Sequence, residues 1–147
     1  MNISDILSKD MVVADLQADS KRQVIERIAA FIAQKKHLDA NKIFEAIWER
    51  EQLGSTGYGA GVAFPHARID DLNELIVAFV QLKTPIDYEA IDGKPVDILA
   101  VLVSPEKSGE DHLQSLALFS RILKNSETCK RIRQAKGAKE IYQNIKI

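Results

Sequence analysis

Two short runs limit what this chain can become. Leu75 to Leu82 reads LIVAFVQL and Val96 to Val103 reads VDILAVLV. Both are rich in β-branched and aromatic residues, so they read as strands, and their near-continuous apolarity reads as burial. The sequence around them supplies helical spacing. Asp19 or Ser20 can cap a helix with Val24, Ile25, Ile28, Ala29 and Ile32 on one face, ending near Lys35 and Lys36. Asp39 starts a second helix, with Ile43, Phe44, Ile47 and Trp48 inward, that runs out near Leu53. After the second strand a helix is predicted from about Glu110 to Asn125, burying Leu113, Leu116, Ala117, Phe119, Ile122 and Leu123. Ser126 can cap another helix through about Ala135, and a last one follows Gly137 with Ile141, Tyr142 and Ile145. Asn2 to Ser8 is a short amphipathic turn, Met11 to Leu16 a short strand, and Thr84 to Pro95 a loop turning at Asp92-Gly93. Helices on both sides of a few strands imply a three-layer α/β/α sandwich, α/β or α+β in class. The uneven connections imply a small mixed sheet.

A length of 147 residues is that of a single domain. With 46% hydrophobic and 28% charged residues, the chain can bury a core without staples. Its one cysteine, Cys129, excludes an intrachain disulfide framework. A net charge of −1 implies no general attraction to nucleic acid or to an anionic membrane. The basic residues between Lys124 and Lys139 read as a solvated helix face. The N-terminus lacks a signal-peptide pattern, and no apolar run approaches the roughly 18 residues of a membrane span. The expectation is a cytoplasmic domain with no membrane insertion.

Chemistry concentrates between Gly54 and Arg68, GSTGYGAGVAFPHAR, which holds four of the seven glycines. Glycines let a backbone approach a ligand closely. Ser55 and Thr56 add hydroxyls beside Gly57. Pro65 has a fixed φ and pushes Phe64 towards extended backbone, so His66 is expected at a stiffened strand end beside a loop rich in N–H groups. His66 is either a histidine satisfied by hydrogen bonds or a nucleophile, since neutral imidazole is competent near pH 7. Attack on a phosphoryl group would give a labile phosphoramidate. His112 is either a surface histidine near a helix start or a partner for a phosphoryl oxygen at the edge where strands end and helices begin. Arg50 precedes the glycines, where a guanidinium can match phosphate bidentately. Arg68 reads as a surface cation, and His37 as a structural residue at a helix end.

Other chemistries lack their signatures. Gly57-x-Gly59-x-Gly61 follows a helix and opens none, so it is not a dinucleotide fingerprint. The sequence contains no GxxxxGK[ST], HExxH, CxxC or GxSxG. No metal or cofactor is expected.

The run REQLGSTGYGAGVAFPHAR, from Arg50 to Arg68, resembles the phospho-acceptor region of enzyme IIA domains of the fructose/mannitol type, from the bacterial phosphoenolpyruvate-dependent phosphotransferase system. Val80 to Pro105 resembles the nitrogen-regulatory branch, enzyme IIA-Ntr, and His112 to Leu123 fits the pattern HLxxLxxxxRxL. The resemblance spans nearly the whole chain. It implies a phosphotransferase whose phosphorylated residue is His66, with Arg50 and His112 beside it and the loop near Ser55, Thr56 and Gly57 in support. It implies an HPr- or NPr-type histidine phosphocarrier as donor, and regulatory targets such as potassium transporters or sensor kinases. Sugar-specific transfer to a IIB domain and binding without phosphorylation are the alternatives. The sequence departs from the pattern at Ala60, where asparagine is usual, and at Ala67, where glycine is usual.

Overall fold

A computed structural model describes residues 2–107 and 109–145. The helices are α1 (Ile3–Ile6), α2 (Lys21–Lys36), α3 (Ala40–Gln52), α4 (Gly109–Leu123), α5 (Ser126–Gln134) and α6 (Ala138–Ile145). The strands are β1 (Val12–Leu16), β2 (Gly57–Gly59), β3 (Val62–Ala63), β4 (His66–Ile69), β5 (Ile76–Ile86) and β6 (Val96–Pro105). They form one mixed sheet in the order β1-β5-β6-β3-β2, with β4 also paired to β6. Pairing is parallel for β1–β5, β3–β6 and β4–β6, and antiparallel for β5–β6 and β2–β3. The three-layer α/β/α reading of the sequence therefore holds.

The two apolar runs are the centre of the sheet. Ala78, Phe79 and Val80 of β5 and every residue from Ile98 to Val103 of β6 are fully buried. The helices that cover them begin as their polar residues dictate. Ser20, rather than Asp19, caps α2 by accepting from the Gln23 N–H, and Asp39 caps α3 through the Asn41 N–H. The cap of α5 is Asn125, whose side chain accepts from the Glu127 and Thr128 N–H groups, so Ser126 is its first helical residue. His37 ends α2 in the left-handed conformation with φ of 58°.

Three sequence expectations change. Strand β5 continues through Thr84 and Pro85 to Ile86, where a loop was expected, because the chain bulges outward and returns Ile86 to pair with Val96. A proline is tolerated at such a bulge. Helix α4 is rotated relative to its expected face: Leu113 and Ala117 are exposed, while His112, Ser115, Leu118, Phe119 and Leu123 are buried. Phe119 stacks on Phe79 of β5, which fixes that rotation. Third, the glycine-rich segment is a hairpin rather than an open loop; His66 is, as expected, at a strand end, the first residue of β4. From Val62 to Ile69 every partner on β6 is 36 positions further on: Val62 with Ile98, His66 with Leu102, Ile69 with Pro105. Strands β3 and β4 are thus one parallel strand interrupted at Pro65, which has no N–H to give the ladder but still accepts from the Leu102 N–H.

The hairpin turn explains one departure from the family pattern. Gly59 pairs with Val62, and the two residues between, Ala60 and Gly61, both have positive φ, 56° and 83°. A two-residue loop with two positive φ values is the type I′ turn, for which Asn-Gly is favoured. Alanine there holds Cβ against the carbonyl. The turn is held by Asp92, which accepts from the Ala60 N–H, and by Arg133, which donates to the Ala60 carbonyl. Ala67 is different: it pairs with Val103 in ordinary strand backbone and needs no glycine. Ala60→Asn is expected to stabilise the fold by about 1 kcal/mol in urea titrations, while Ala67→Gly brings no such gain.

Candidate active site

Three stretches of chain meet at one cavity of about 770 Å³: the end of α3 with Arg50 and Leu53, β4 with His66 and Arg68, and the start of α4 with His112 and Leu113. Its position follows from the sheet. His66 and Arg68 are two apart on a strand and share a face. On the neighbouring β6, Leu102 and Ser104 are their register partners. His112 of α4 packs over that face, with its Nδ1 hydrogen-bonded to the buried Ser104 hydroxyl.

His66 has a fixed tautomer. Its Nδ1 lies 2.7 Å from the carbonyl oxygen of Phe64. A carbonyl only accepts, so Nδ1 carries the hydrogen and Nε2 the lone pair. Pro65 spans the two residues of this contact, and its rigid ring keeps the carbonyl under the imidazole. Burial lowers the His66 pKa from its ordinary value. The Phe64 carbonyl opposes this, the Arg50 charge adds to it, Glu51 opposes it, and Arg68 adds to it. The imidazole is therefore neutral at pH 7, with its basic lone pair on Nε2, in a residue that lines the cavity.

The ring of His112 meets that of His66 edge-on, with centroids 5.3 Å apart and planes at 62°. Burial is the main reason its pKa falls to about 4, with the charge of Arg68 and the His66 ring adding to the effect. Arg50 donates from Nη1 to the Gly54 carbonyl at 2.9 Å, which ties the guanidinium across the end of its own helix. Arg68, expected as a surface cation, is exposed but lines the same cavity, and its charge reaches both histidines. The period-two alternation of β4 would have shown this had that strand been recognised.

Ser55, Thr56 and Gly57 are not among the residues that line the cavity. The Ser55 hydroxyl donates to the Tyr88 carbonyl and accepts from the Gly57 N–H. Thr56 gives both its N–H and its hydroxyl to the carboxylate of Glu51. Gly57 is needed for close packing, because a Cβ there would stand 2.6 Å from the Ala90 backbone. Sequence reasoning passed over the residue at the centre of these bonds. Glu51 is buried, 3.0 Å from Lys21 Nζ and 3.1 Å from the Tyr88 hydroxyl, and Lys21 also lies over the Tyr88 ring at 4.7 Å. Burial together with the Glu51 charge drives the Tyr88 pKa well upward, so its hydroxyl stays a donor. A glutamate beside a candidate arginine at a helix end has no distinct sequence signal.

The fold and this pair of histidines define a class: residues 5–147 match the family described as phosphoenolpyruvate-dependent sugar phosphotransferase system, EIIA 2, and the chain belongs to it. Within that family it is similar to nitrogen regulatory proteins. It is 36% identical to the one from Bradyrhizobium diazoefficiens over 97% of this chain and 93% of that protein. It is 38% identical to the one from Pseudomonas aeruginosa over 99% of this chain and 95% of that protein. The crystal structure of nitrogen regulatory protein IIA-Ntr from Neisseria meningitidis superposes with a TM-score of 0.91 at 29% identity, over 97% of this chain and 98% of that one. Mannitol IIA from Escherichia coli, at 15% identity, shares the fold with a TM-score of 0.81 over 95% of this chain and 98% of that one. Among the described residues no helix is long and apolar enough to cross a membrane, and no cluster of side chains is arranged to hold a metal ion.

Removing the Glu51 carboxylate would leave Lys21 with only the more distant Glu89, at 4.0 Å, and would take the acceptor from the Thr56 N–H and from the Thr56 and Tyr88 hydroxyls. Glu51→Ala is expected to cost about 3–5 kcal/mol in urea unfolding, and Tyr88→Phe about 1 kcal/mol. The histidines predict a pH effect. Since the folded pKa of His112 lies below its unfolded value, the unfolded chain binds a proton first as pH falls. Stability present above about 6.5 is then lost progressively towards about 4. His112→Gln should flatten this limb of a plot of stability against pH.

Proposed function

We propose that the protein is a phosphohistidine carrier in a nitrogen-type phosphotransferase system, with regulation as its output. The observation that carries this is the fixed tautomer of His66, whose Nε2 lone pair is held towards a cavity containing two arginines. The donor is an HPr- or NPr-type phosphocarrier protein in the cytoplasm. The Nε2 lone pair attacks phosphorus and forms a P–N bond. The donor's own P–N bond breaks, and its electron pair returns to the donor ring, which carries a hydrogen on its other nitrogen and so leaves as neutral imidazole while the positive charge passes to the His66 ring. The Phe64 carbonyl accepts from Nδ1–H throughout and disperses the positive charge that develops on the ring. Such transfer depends on positioning and on neutralising the phosphoryl oxygens. Arg50 supplies planar N–H donors for this, with Arg68 as a second cation. His112 acts as a neutral partner. Ser55, Thr56 and Gly57 contribute indirectly, as the frame that fixes the hairpin.

A phosphoryl group adds roughly −1.5 to −2 charges, by analogy with other phosphorylated side chains, at a surface that also bears the exposed Leu53 and Leu113. That change can alter the fit of a regulatory target such as a potassium transporter or sensor kinase. Regulation is favoured over sugar transfer because identity to nitrogen regulatory proteins, 36% and 38%, exceeds the 30% to the fructose-specific EIIA component of Haloferax volcanii, which is also matched over 94% of its length. By contrast, the chain is 29% identical to the fructose-specific EIIABC component of Bacillus subtilis and covers 23% of it.

The test is labelling from phosphoenolpyruvate through enzyme I and the carrier. Wild-type protein should acquire an acid-labile, base-stable phosphate. His66→Ala should acquire none and keep its fold; continued labelling of that variant would refute the proposal. Arg50→Ala should slow transfer about 100-fold, the cost of a lost oxyanion donor. Arg50→Lys should recover part of the loss, because lysine lacks the planar fork.

A further inference from the structure

The Ser104 hydroxyl has no solvent exposure, and among the described residues its hydrogen-bond partner is His112 Nδ1. A hydroxyl has one hydrogen to donate and two lone pairs. If Nδ1 carried the imidazole hydrogen, it would donate to Oγ, and the hydroxyl hydrogen would be buried without a described acceptor. Unsatisfied buried donors are costly. If the hydroxyl donates to Nδ1, both hydrogens are accounted for, because the imidazole hydrogen then sits on Nε2. His66 holds the opposite tautomer, Nδ1–H on the Phe64 carbonyl, so its Nε2 bears a lone pair.

We propose that Ser104 is a positioning residue that holds His112 as the neutral Nε2–H tautomer, a hydrogen-bond donor to oxygens of a phosphoryl group on His66. The use of that donor rests on the carrier reading given above; the tautomer does not. The two histidines are then complementary: one presents a lone pair to phosphorus, the other a hydrogen to a phosphoryl oxygen. His112 serves through its tautomer rather than its charge. The charged and titratable groups around it are Arg68 and His66 on β4, Glu49 and Arg50 on α3, and Glu110 and Asp111 on its own helix. Burial and Arg68 hold it unprotonated at neutral pH.

The experiment is long-range proton–nitrogen NMR on protein with labelled histidine, for wild type, Ser104→Ala and Ser104→Thr. Wild-type His112 should show hydrogen on Nε2 alone. In Ser104→Ala the tautomers should mix. The His112 pKa should also rise, because the lost bond favoured the neutral ring. Transfer from the phosphocarrier should slow about fivefold, the scale of one lost neutral hydrogen bond. Ser104→Thr keeps the hydroxyl and should restore the Nε2–H form and the rate. An Nδ1–H tautomer in wild type, or a lowered His112 pKa in Ser104→Ala, would overturn the proposal, the first even if a variant fails to fold. An altered tautomer with unchanged transfer would overturn its functional half. Phosphorylation of His66→Ala would defeat the carrier reading instead and leave the His112 tautomer as it was, so the two failures are distinct.

Discussion

One buried carboxylate decides where the hairpin leading to His66 begins. Glu51, in the last turn of α3, ties that helix to Lys21 of α2, to the backbone and hydroxyl of Thr56, and to Tyr88 in the connection between β5 and β6. Burying a charge is unfavourable unless it is paired and its remaining lone pairs are satisfied. Here a cation and three donors meet that condition. The arrangement has only one register. If Thr56 shifted by one residue, the carboxylate would lose two bonds at once, and the hairpin that leads to His66 would start elsewhere. Arg50, one residue earlier, faces the cavity and binds the Gly54 carbonyl. Adjacent residues on a helix point about 100° apart. A single turn of α3 therefore supplies both the anchor of the loop and a cation of the site.

The second constraint is Pro65. Between Val62 and Ile69 the chain keeps one register with β6, and only the proline breaks the ladder. Phe64 faces away from β6, with its N–H on the Thr56 carbonyl, and its own carbonyl accepts from the imidazole two residues on. The proline stiffens the strand, and the Phe64 carbonyl beside it sets the tautomer of His66. The first effect was legible in the sequence through the fixed φ. The second was not, because it depends on β6 holding both sides of the interruption in register.

Much of the fold was legible for a simple reason. The runs at 75–82 and 96–103 are apolar enough to exclude wet faces, and the helices around them carry clear caps at Ser20 and Asp39. Helix α4 was misread because its buried stripe contains His112 and Ser115, whereas Leu113 and Ala117 lie outside it. A reading that sends apolar residues inward fails where a helix buries polar ones to serve a site. The same rotation leaves Leu113 exposed at the mouth of the cavity. The hairpin was missed because its turn is Ala-Gly instead of Asn-Gly. Arg68 was missed because β4 is only four residues long and begins at the proline break.

The electrostatics of the cavity have a consistent direction. Burial already disfavours a charged imidazole, and Arg50 and Arg68 disfavour it further at His66. Burial first, and these cations after it, favour the deprotonated histidine, which is the state a nucleophile requires. On the proposed function, their role changes when a phosphoryl group arrives. The same positive field then meets two or more partially negative oxygens, and the repulsion that kept a proton away becomes attraction for the transferred group. A carboxylate close to His66 would do the reverse, raising the imidazole pKa and repelling the phosphoryl oxygens. Glu51 acts in this sense, and its coulombic effect on His66 is upward but smaller than that of Arg50. Its pairing with Lys21, and its bonds to Thr56 and Tyr88, keep that charge occupied away from the site. The network that anchors the loop thus also holds the Glu51 charge in bonds of its own, whereas Glu49 is an acidic residue that lines the cavity itself.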